Sequence, residues 1–170
     1  MDLKAYVRDV QDFPEPGVVF KDISPLLKDK KAFDRAIQGL LDLIGDMKVD
    51  KVIGIESRGF FFAPLLAARL DAGFVPVRKP GKLPSDTISE NYTLEYGSGA
   101  LEIHADGLEP GDRVLIHDDV LATGGTAAAT CKLVEQLGGK VVHCNFLLEL
   151  AFLQGRSKLE TYPLSSLLLY

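Results

Sequence analysis

The stretch RVLIHDDVLATGGTAAATCKLV, residues 113–134, decides the fold of this chain. Its apolar run Val114–Ile116 follows the turn pair Pro110-Gly111, which predicts a buried strand of a parallel sheet. Asp118 and Asp119 then come at the carboxyl end of that strand. Because open α/β sheets bind ligands in the crevice beyond this end, we expect the two carboxylates to serve a ligand rather than core packing.

A loop rich in threonine and glycine follows the two carboxylates and leads into a helix. It contains Thr123, Gly124, Gly125 and Thr126, and the predicted helix starts at the alanines behind them. Glycine lets backbone amides approach a ligand, threonine adds hydroxyl donors, and the N-terminus of a helix favours an anion. The loop is therefore predicted to bind a phosphate.

The two carboxylates and the loop together narrow the choice of ligand. Carboxylates repel a phosphate, so they must face a cation or a pair of hydroxyl groups elsewhere on the ligand, and a ribose 5-phosphate offers such a pair. The sequence lacks the Gly-Lys-Ser/Thr of a P-loop and the G-x-G-x-x-G of a dinucleotide site. The alternative, a threonine-capped surface turn beside solvated aspartates, rarely unites all these features.

The composition indicates one globular domain of a cytoplasmic protein. The chain has 170 residues, 46% of them hydrophobic, which suits a single domain, residues 1–170, with a sizeable core. Its net charge of −5 argues against non-specific nucleic-acid binding. No apolar run approaches the about 18 residues that cross a bilayer, and the N-terminus is too polar for a signal peptide. We therefore expect neither a nucleic acid nor a membrane as a partner.

The N-terminal residues predict short elements followed by one longer helix. Apolar residues in Leu3–Val10 recur at helical spacing, which predicts a short helix that ends before Pro14. Val18–Phe20 is predicted to be extended, with a backbone free to pair with something other than a sheet. Ser24-Pro25 predicts an N-cap and a single helical turn, and a longer amphipathic helix is expected from Asp29.

A second strand–loop–helix unit follows. Val52–Ile55 predicts a buried strand, Glu56–Gly59 a polar loop, and Phe60–Leu70 a helix. The loop carries Arg58, so it predicts a second anion site, although an ordinary connecting turn stays an alternative. A third strand is predicted at Phe74–Val77, and its proline suggests an irregularity or a partly free edge.

Residues 78–104 are predicted to form a flap and a hairpin. The basic, proline-containing segment Arg78–Ser89 predicts a mobile, positively charged flap, with a solvated loop as the alternative. Tyr92–Tyr96 and Leu101–His104 alternate apolar and polar residues around Gly97–Gly99, which predicts a hairpin.

The order of these elements predicts an α/β fold. A further strand is predicted at Val141–Leu150 and a last apolar piece at Leu164–Tyr170. Strands that alternate with helices through short connections imply a central, mainly parallel sheet flanked by helices on both faces. Cys131 and Cys144 lack C-x-x-C spacing, so we expect buried free thiols.

Several segments resemble one known family. The stretch VLIHDDVLATGGTAAA resembles the 5-phosphoribosyl 1-pyrophosphate (PRPP) motif of type I phosphoribosyltransferases. Four further segments are similar, in the same order, to segments of adenine phosphoribosyltransferases: GVVFKDISPLLKD (17–29), ESRGFFFAP (56–64), RKPGKLPSD (78–86) and YTLEYG (92–97). The resemblance runs from about Phe13 to Leu150.

The resemblance implies an enzyme of purine salvage that converts adenine and PRPP to AMP and pyrophosphate. It implies the type I phosphoribosyltransferase fold, with a flexible flap over the site and a small N-terminal base-binding segment at residues 1–28. The implied cofactor is Mg²⁺, bound mainly through PRPP, pyrophosphate and water, with no direct side-chain ligand. The implied assembly is a homodimer.

The resemblance also implies roles for individual residues. Asp118 and Asp119 would hold the ribose hydroxyls. The 5′-phosphate would bind to Ala122, Thr123, Gly124, Gly125 and Thr126. The pyrophosphate would bind near Ser57 and Arg58, with Lys79 and Lys82 on the flap above it. Arg58 would also reach the base region, and Glu56-Ser57 would be a cis peptide.

For the base, the resemblance implies a binding site built from the N-terminal segment. Val19 and Lys21 would offer backbone groups to the edge of adenine, while Phe20 and Val120 would sandwich its ring. Glu95, next to Tyr96, would take the acid–base role. Three residues depart from the commoner pattern, because arginine is frequent at the position of Lys21, leucine at that of Val120, and a basic or polar residue at that of Pro80.

Other functions with the same motifs have to be compared. Enzymes of this fold that use hypoxanthine, xanthine or orotate would share the Asp-Asp and Thr-Gly-Gly-Thr elements. A PRPP-sensing regulator would be expected to add a DNA-binding domain or a basic face, and a phosphorylated receiver domain would leave the Thr-Gly-Gly-Thr loop unexplained. The histidines His104, His117 and His143 are too dispersed to predict a metal site.

Overall fold

The core of the protein is a five-stranded parallel sheet, and the predicted site lies at the carboxyl ends of its strands. The computed structural model describes residues 1–93 and 97–170. The strands are β1 (Arg8–Gln11), β2 (Val19–Asp22), β3 (Lys51–Ile55), β4 (Gly73–Val77), β5 (Thr87–Thr93), β6 (Ser98–His104), β7 (Arg113–Leu121), β8 (Lys140–Glu149) and β9 (Leu164–Leu169). The α-helices are α1 (Ser24–Lys28), α2 (Lys30–Ile44), α3 (Ala63–Arg69) and α4 (Gly125–Gln136).

The strand order in the central sheet is β4-β3-β7-β8-β9. All four pairings in this sheet are parallel, as the sequence predicts. The predicted edge position of the proline-containing strand is confirmed, because β4 is an outer strand. Two small antiparallel ribbons, β1-β2 and β5-β6, lie outside this sheet.

Helices cover both faces of the sheet, and each face has its own hydrophobic core. Alternate residues of a strand point to opposite faces. Thus Val114 and Ile116 pack into one core with α4 and β6, whereas Leu115 packs into the other with α2 and α3. All three are fully buried. The middle strand β7 is therefore enclosed on both sides, which explains its continuous apolar run.

Helix α4 is present, but it starts at Gly125, two residues before the predicted start at the alanines. Gly124 precedes the helix with φ 83°, in the left-handed region that glycine adopts at little cost. Gly138, just beyond the end of the helix, also has a positive φ of 81°. The longer N-terminal helix α2 is likewise confirmed, since Asp29 caps it by accepting hydrogen bonds from the backbone N–H groups of Lys31 and Ala32.

The prediction of a helix over Leu3–Val10 is wrong. Only Leu3–Tyr6 is helical, as one 3-10 turn, and the following residues form β1. That strand pairs with β2, where Val10 lies opposite Phe20. Val18–Phe20 was expected to be extended without a sheet partner, and this too is corrected, because Val19 and Phe20 belong to the ribbon. Helical spacing over ten residues cannot reveal a strand partner that lies further along the chain.

The hairpin is confirmed, but its strands differ from the prediction. It pairs Thr87–Thr93 with Ser98–His104, so Ser98 and Gly99 lie in a strand rather than in the turn. Thr87, Ile88 and Ser89, assigned to the flap on sequence, begin β5. The predicted helix Phe60–Leu70 is also divided, into a 3-10 turn at Arg58–Phe61 and the α-helix α3.

The short helix α1 begins one residue earlier than predicted. Its N-cap is Ile23 rather than Ser24, while Pro25 does lie in the first turn. Both cysteines are buried and free. No helix in the described part of the chain combines the length and apolar character needed to cross a membrane.

Candidate active site

The loop predicted to bind phosphate lines a small cavity at the carboxyl edge of the sheet. We call Ala122–Thr126 the phosphate loop. The cavity has a volume of about 170 Å³. Its wall consists of the residues from Val120 to Ala127, together with Tyr92, Thr93 and Phe146. The structure thus brings the whole predicted loop and Val120 to one cavity and adds the end of β5 to its wall.

The carboxylates Asp118 and Asp119 lie inside β7, close to its carboxyl end. Asp119 is only 2% exposed, and Asp118 is partly buried. The backbone N–H of Asp119 donates to Oδ1 of Asp118 over 2.9 Å. Within the described residues, Oδ2 of Asp119 accepts no well-aligned hydrogen bond, although Nε of Arg58 lies 3.1 Å away as an ion-pair partner. A buried carboxylate oxygen that lacks a well-aligned donor can accept a hydrogen bond from a hydroxyl group of a ligand.

Burial and mutual repulsion oppose ionisation of this pair. Burial raises the pKa of Asp118 well above its ordinary value, and the neighbouring charge of Asp119 raises it further. Burial also raises the pKa of Asp119, although the guanidinium of Arg58 partly offsets that effect. The two carboxyl groups therefore share an environment in which a second negative charge is unfavourable.

Arg58 links the predicted ribose carboxylates to the predicted base segment. Its Nε lies 3.1 Å from Oδ2 of Asp119, and its side chain keeps 37% of its surface exposed. On the other side, its Cζ lies 4.9 Å from the centre of the Phe20 ring, a cation–π arrangement. Phe13 packs edge-on against the same ring, with centroids 5.1 Å apart. One guanidinium thus contacts an acid of β7 and an aromatic ring of β2.

The loop after β3 is held in place by its first residue, Glu56. The carboxylate of Glu56 accepts hydrogen bonds from Arg78 Nη2 over 3.1 Å and from the backbone N–H of Lys79 over 2.9 Å. Burial alone would raise the pKa of Glu56, but the Arg78 guanidinium and the Lys79 N–H hold it below the ordinary value. Arg78 therefore anchors the base of the flap to this loop. The predicted cis peptide Glu56-Ser57 is present.

The remaining predicted pyrophosphate residues lie around this anchor. Ser57, Lys79 and Lys82 are all exposed. The carbonyl of Lys82 accepts a hydrogen bond from Arg78 Nη1 over 3.3 Å, which holds the flap turn close to the anchor.

In the base segment, the side chain of Lys21 is occupied outside the site. Its Nζ donates to Oδ1 of Asp9 over 2.6 Å and lies 4.3 Å from the centre of the Tyr170 ring. Lysine in place of the commoner arginine therefore affects contacts with Asp9 of β1 and with Tyr170. The backbone of Lys21 remains part of β2. Val19, two residues earlier on the same strand, is 41% exposed.

Two supporting features were not predicted from the sequence. A Cβ added to Gly59 would lie 3.0 Å from the carbonyl oxygen of His117 and 3.1 Å from Oδ1 of Asp118, so the glycine allows the loop to pack on β7. In addition, Nδ1 of the buried His117 is 2.8 Å from Oδ1 of Asn145, and Nδ2 of Asn145 donates to the Leu40 carbonyl of α2 over 3.3 Å. Burial lowers the pKa of His117 to about 4, so the ring is neutral beside the carboxylates.

Glu95, the predicted acid–base residue, and its neighbour Tyr96 lie outside the described residues.

Comparison with known proteins assigns this arrangement to a class. Residues 22–165 match the family described as the phosphoribosyl transferase domain. This match, the parallel sheet and the loop at the start of α4 define a type I phosphoribosyltransferase. The chain is also 60% identical over 170 residues to the adenine phosphoribosyltransferase of Christiangramia forsetii, an alignment that covers 100% of this chain and 99% of that one. It belongs to the adenine phosphoribosyltransferase family.

Solved structures agree with this assignment. The adenine phosphoribosyltransferase of Thermoanaerobacter pseudethanolicus is similar with a TM-score of 0.97 at 52% identity, over 99% of this chain and 98% of the other. The enzyme of Saccharomyces cerevisiae, solved with D-2,5-dideoxy-2,5-imino-altritol 1,6-bisphosphate and adenine, is similar with a TM-score of 0.91 at 43% identity. That alignment covers 97% of this chain and 96% of the yeast one.

The raised pKa of Asp118 predicts that this acid reduces stability at neutral pH. A carboxyl group whose pKa is higher in the folded protein than in the unfolded chain destabilises the fold at any pH where the unfolded group is ionised. We expect Asp118→Asn to increase the free energy of unfolding at pH 7 by on the order of 1 kcal/mol. The gain should shrink as the pH falls toward about 4, where the unfolded group also becomes protonated.

Urea unfolding measured between pH 4 and 7 checks this expectation. The matched control is Asp34→Asn, on the exposed side of α2, which should change the free energy of unfolding little at any pH in this range. A loss of stability at pH 7, or a gain that grows as the pH falls, would contradict the electrostatic description of the pair.

Proposed function

We propose that this chain transfers the 5-phosphoribosyl group of PRPP to adenine and releases pyrophosphate, so that AMP is formed for purine salvage. The observation that carries the proposal is the juxtaposition at the carboxyl edge of the sheet. There the phosphate loop lines a cavity at the end of the strand that carries the two carboxylates, and Arg58 joins Asp119 to the ring of Phe20. The family assignment supports the same reaction, as does the yeast relative solved with adenine and an imino-sugar bisphosphate.

The 5′-phosphate is assigned to the phosphate loop. The loop leads directly into α4, whose first N–H groups and dipole favour an anion. Gly124 and Gly125 leave the backbone amides accessible there. Thr123 and Thr126 add hydroxyl donors, and Ala122 begins the loop after β7.

The ribose hydroxyls are assigned to Asp118 and Asp119. A carboxylate accepts hydrogen bonds and donates none when it is ionised, so it complements a diol and repels the phosphate. The buried Oδ2 of Asp119 supports this role, because it accepts no well-aligned hydrogen bond within the described residues and has Arg58 as an ion-pair partner. A ribose hydroxyl would also satisfy an acceptor whose burial is otherwise unfavourable.

Adenine is assigned to the segment Val19–Lys21. Within the described part of the chain, one edge of β2 has no strand partner, and the peptide groups of residues two apart point to the same side. Val19 and Lys21 can therefore address one edge of a planar base together. We propose that Phe20 and Val120 contact its two faces, and the ring of Phe20, already covered by Arg58, provides an aromatic surface for such a contact.

The chemical step breaks the bond between ribose C1 and the pyrophosphate oxygen, and the electron pair leaves with pyrophosphate. The sugar then resembles an oxocarbenium ion, to which N9 of adenine bonds while its ring proton is lost. Positive charge near the leaving group stabilises this transition state. We assign that role to Arg58 with the hydroxyl of Ser57, and to Lys79 and Lys82 on the flap.

Exclusion of water is the second requirement of the reaction. A water molecule that reaches the electron-poor sugar would hydrolyse PRPP instead of allowing transfer. We propose that the flap closes over the site during turnover. Its attachment through Arg78 to Glu56 supports this role, because the flap then moves about a point beside the loop Glu56–Gly59, which carries Ser57 and Arg58.

Mg²⁺, the assembly and the compartment are also proposals. Among the described residues no three His, Cys, Asp or Glu side chains converge in a metal-binding arrangement. Mg²⁺ commonly keeps several waters and binds substrate phosphates, so we propose that it would bind through PRPP and pyrophosphate and would supply positive charge to the leaving group. We further propose a cytoplasmic homodimer, and the exposed apolar side chains of Phe61, Leu65 and Phe74 support an association surface.

Substrate choice tests the proposed reaction most directly. Adenine, hypoxanthine, guanine, xanthine and orotate are supplied separately, each with PRPP and Mg²⁺, and the nucleotide formed is measured. We expect AMP from adenine, with kcat/KM at least about 100-fold above that for any other base, because unpaired polar groups penalise the wrong base. Reactions without PRPP are the control. Failure to form AMP, or faster conversion of another base, would refute the proposal.

The ribose assignment predicts a defect in PRPP binding. The double variant Asp118→Asn/Asp119→Asn should raise KM for PRPP at least about 10-fold, because it removes charge-assisted hydrogen bonds to the diol. The fold should stay intact, which circular dichroism checks. Asp34→Asn is again the control, and unchanged kinetics in the double variant would remove the ribose assignment.

The acid–base assignment of Glu95 predicts a defect in turnover. We propose that Glu95 accepts or relays the proton that leaves adenine. Glu95→Gln should lower kcat by about 10²–10⁴ while KM for adenine changes little. Glu90→Gln, on β5, is the matched control, since Glu90 accepts a hydrogen bond from Gln136 on α4 and has no assigned part in the reaction. Equal kcat values for Glu95→Gln and the parent would exclude the role.

A further inference from the structure

A 3-10 turn late in the chain lies directly against the phosphate loop. The turn spans Gly155–Lys158. A Cβ added to Gly124 would lie 2.5 Å from the carbonyl oxygen of Gly155. Conversely, a Cβ added to Gly155 would collide with the carbonyl oxygen of Ala122 and lie 3.0 Å from Cδ1 of Leu121. The two backbones are thus in contact through a glycine on each side.

Two contacts hold the turn against the sheet, one made by Arg156 within the turn and one made by Leu159 just after it. Arg156 forms a bidentate ion pair with Glu149, with Nε–Oε1 2.7 Å and Nη2–Oε2 2.8 Å. Glu149 is the last residue of β8 and is 4% exposed. One residue after the turn, Leu159 is 1% exposed and packs in the same core as Leu121. The turn is therefore tied to the sheet rather than free to move with the loop.

The same turn brings a positive charge toward the start of α4. A Cβ added to Gly125 would lie 3.9 Å from Nζ of Lys158. Lys158 also borders a second cavity of about 210 Å³, together with Thr93 and Gly125. The turn is thus part of the wall around the phosphate loop as well as a backbone contact behind it.

We propose that the turn Gly155–Lys158 is a backstop that fixes the position of the phosphate loop, and that Gly155 is a positioning residue for the 5′-phosphate of PRPP. The proposal rests on the proposed function, because it takes that phosphate as the ligand of the loop. Loop amides hold an anion only when they point at it together, so a displaced loop binds it less well. Gly155 sets the loop position because its missing Cβ lets the turn approach Ala122.

A single methyl group tests this role cleanly. Gly155 lies in a 3-10 turn with an ordinary negative φ, a conformation that alanine adopts readily. The Cβ of Gly155→Ala therefore acts through its contact with the carbonyl oxygen of Ala122. This oxygen belongs to the backbone and cannot rotate away as a side chain can. We expect KM for PRPP to rise roughly 10-fold to 100-fold, since displacements near 1 Å have effects of this size. KM for adenine should change much less.

The matched control is Gly39→Ala in α2. Gly39 is also buried, and its added Cβ would lie 2.8 Å from Cδ1 of Leu167, the end of a flexible side chain. This variant introduces crowding far from the phosphate loop and should leave KM for PRPP unchanged. A KM for PRPP in Gly155→Ala within about twofold of the parent value would overturn the proposal, since such a difference is too small for a displaced loop.

The anchor provides a second test. If Gly155→Ala displaces the loop because the turn is tied down, then releasing the tie should let the turn retreat. The double variant Gly155→Ala/Arg156→Gln should therefore lose less PRPP affinity than the product of the single losses predicts. Simple additivity would show that the Arg156–Glu149 ion pair does not hold the backstop.

Calorimetric binding of ribose 5-phosphate separates this proposal from the proposed reaction. If the parent forms no AMP, the proposed function fails, but weaker binding of ribose 5-phosphate to Gly155→Ala than to the parent still supports the backstop. Equal binding overturns the backstop whether or not AMP is formed. If Gly155→Ala does not fold, Arg156→Gln alone should weaken ribose 5-phosphate binding, and unchanged binding would overturn the proposal.

Discussion

Burial of β7 on both faces is the constraint on which the rest of the structure depends. Helices α2 and α3 cover one face of this strand and α4 covers the other, so its side chains pack into two separate cores. In a strand enclosed on both faces, polar side chains are favoured near the ends of the strand, where the sheet meets solvent. Asp118 and Asp119 lie there, and the chain then turns through the phosphate loop into α4. The proposed ribose and phosphate contacts therefore follow from one strand and the turn behind it.

The charges at this edge oppose stability, which is the usual cost of a binding site. Burial and repulsion make two adjacent carboxylates unfavourable, and the Arg58 guanidinium offsets only part of that effect. Arg58 is itself shared, because it also covers the ring of Phe20. The acids, the arginine and the ring form one electrostatic unit, so a ligand that engages one of them alters the surroundings of the others. This coupling relates the proposed base and ribose contacts although they lie on different elements.

Supporting contacts lie behind the predicted site and act on backbone rather than on ligand. Gly59 lets the loop after β3 pack on β7, and Gly155 lets the late turn pack on the phosphate loop. Arg78 fastens the flap to Glu56, and Arg156 fastens the late turn to Glu149. Each of these pairs joins segments that are distant in the sequence or carry no recognisable motif. The site is therefore held by glycines and ion pairs whose importance depends on what they touch.

The class of fold and the position of the loop proposed to bind phosphate could both be predicted from the sequence alone. Both depend on local patterns, namely apolar runs that end in acids and glycines, and such patterns persist whatever the rest of the chain does. Local spacing failed at Leu3–Val10, where a strand partner at Val19–Asp22 overrides a helical pattern. Only the tertiary structure decided that Arg58 joins Asp119 to Phe20 and that Gly155 lies behind Ala122, because these contacts form between segments whose distance in space no local pattern encodes.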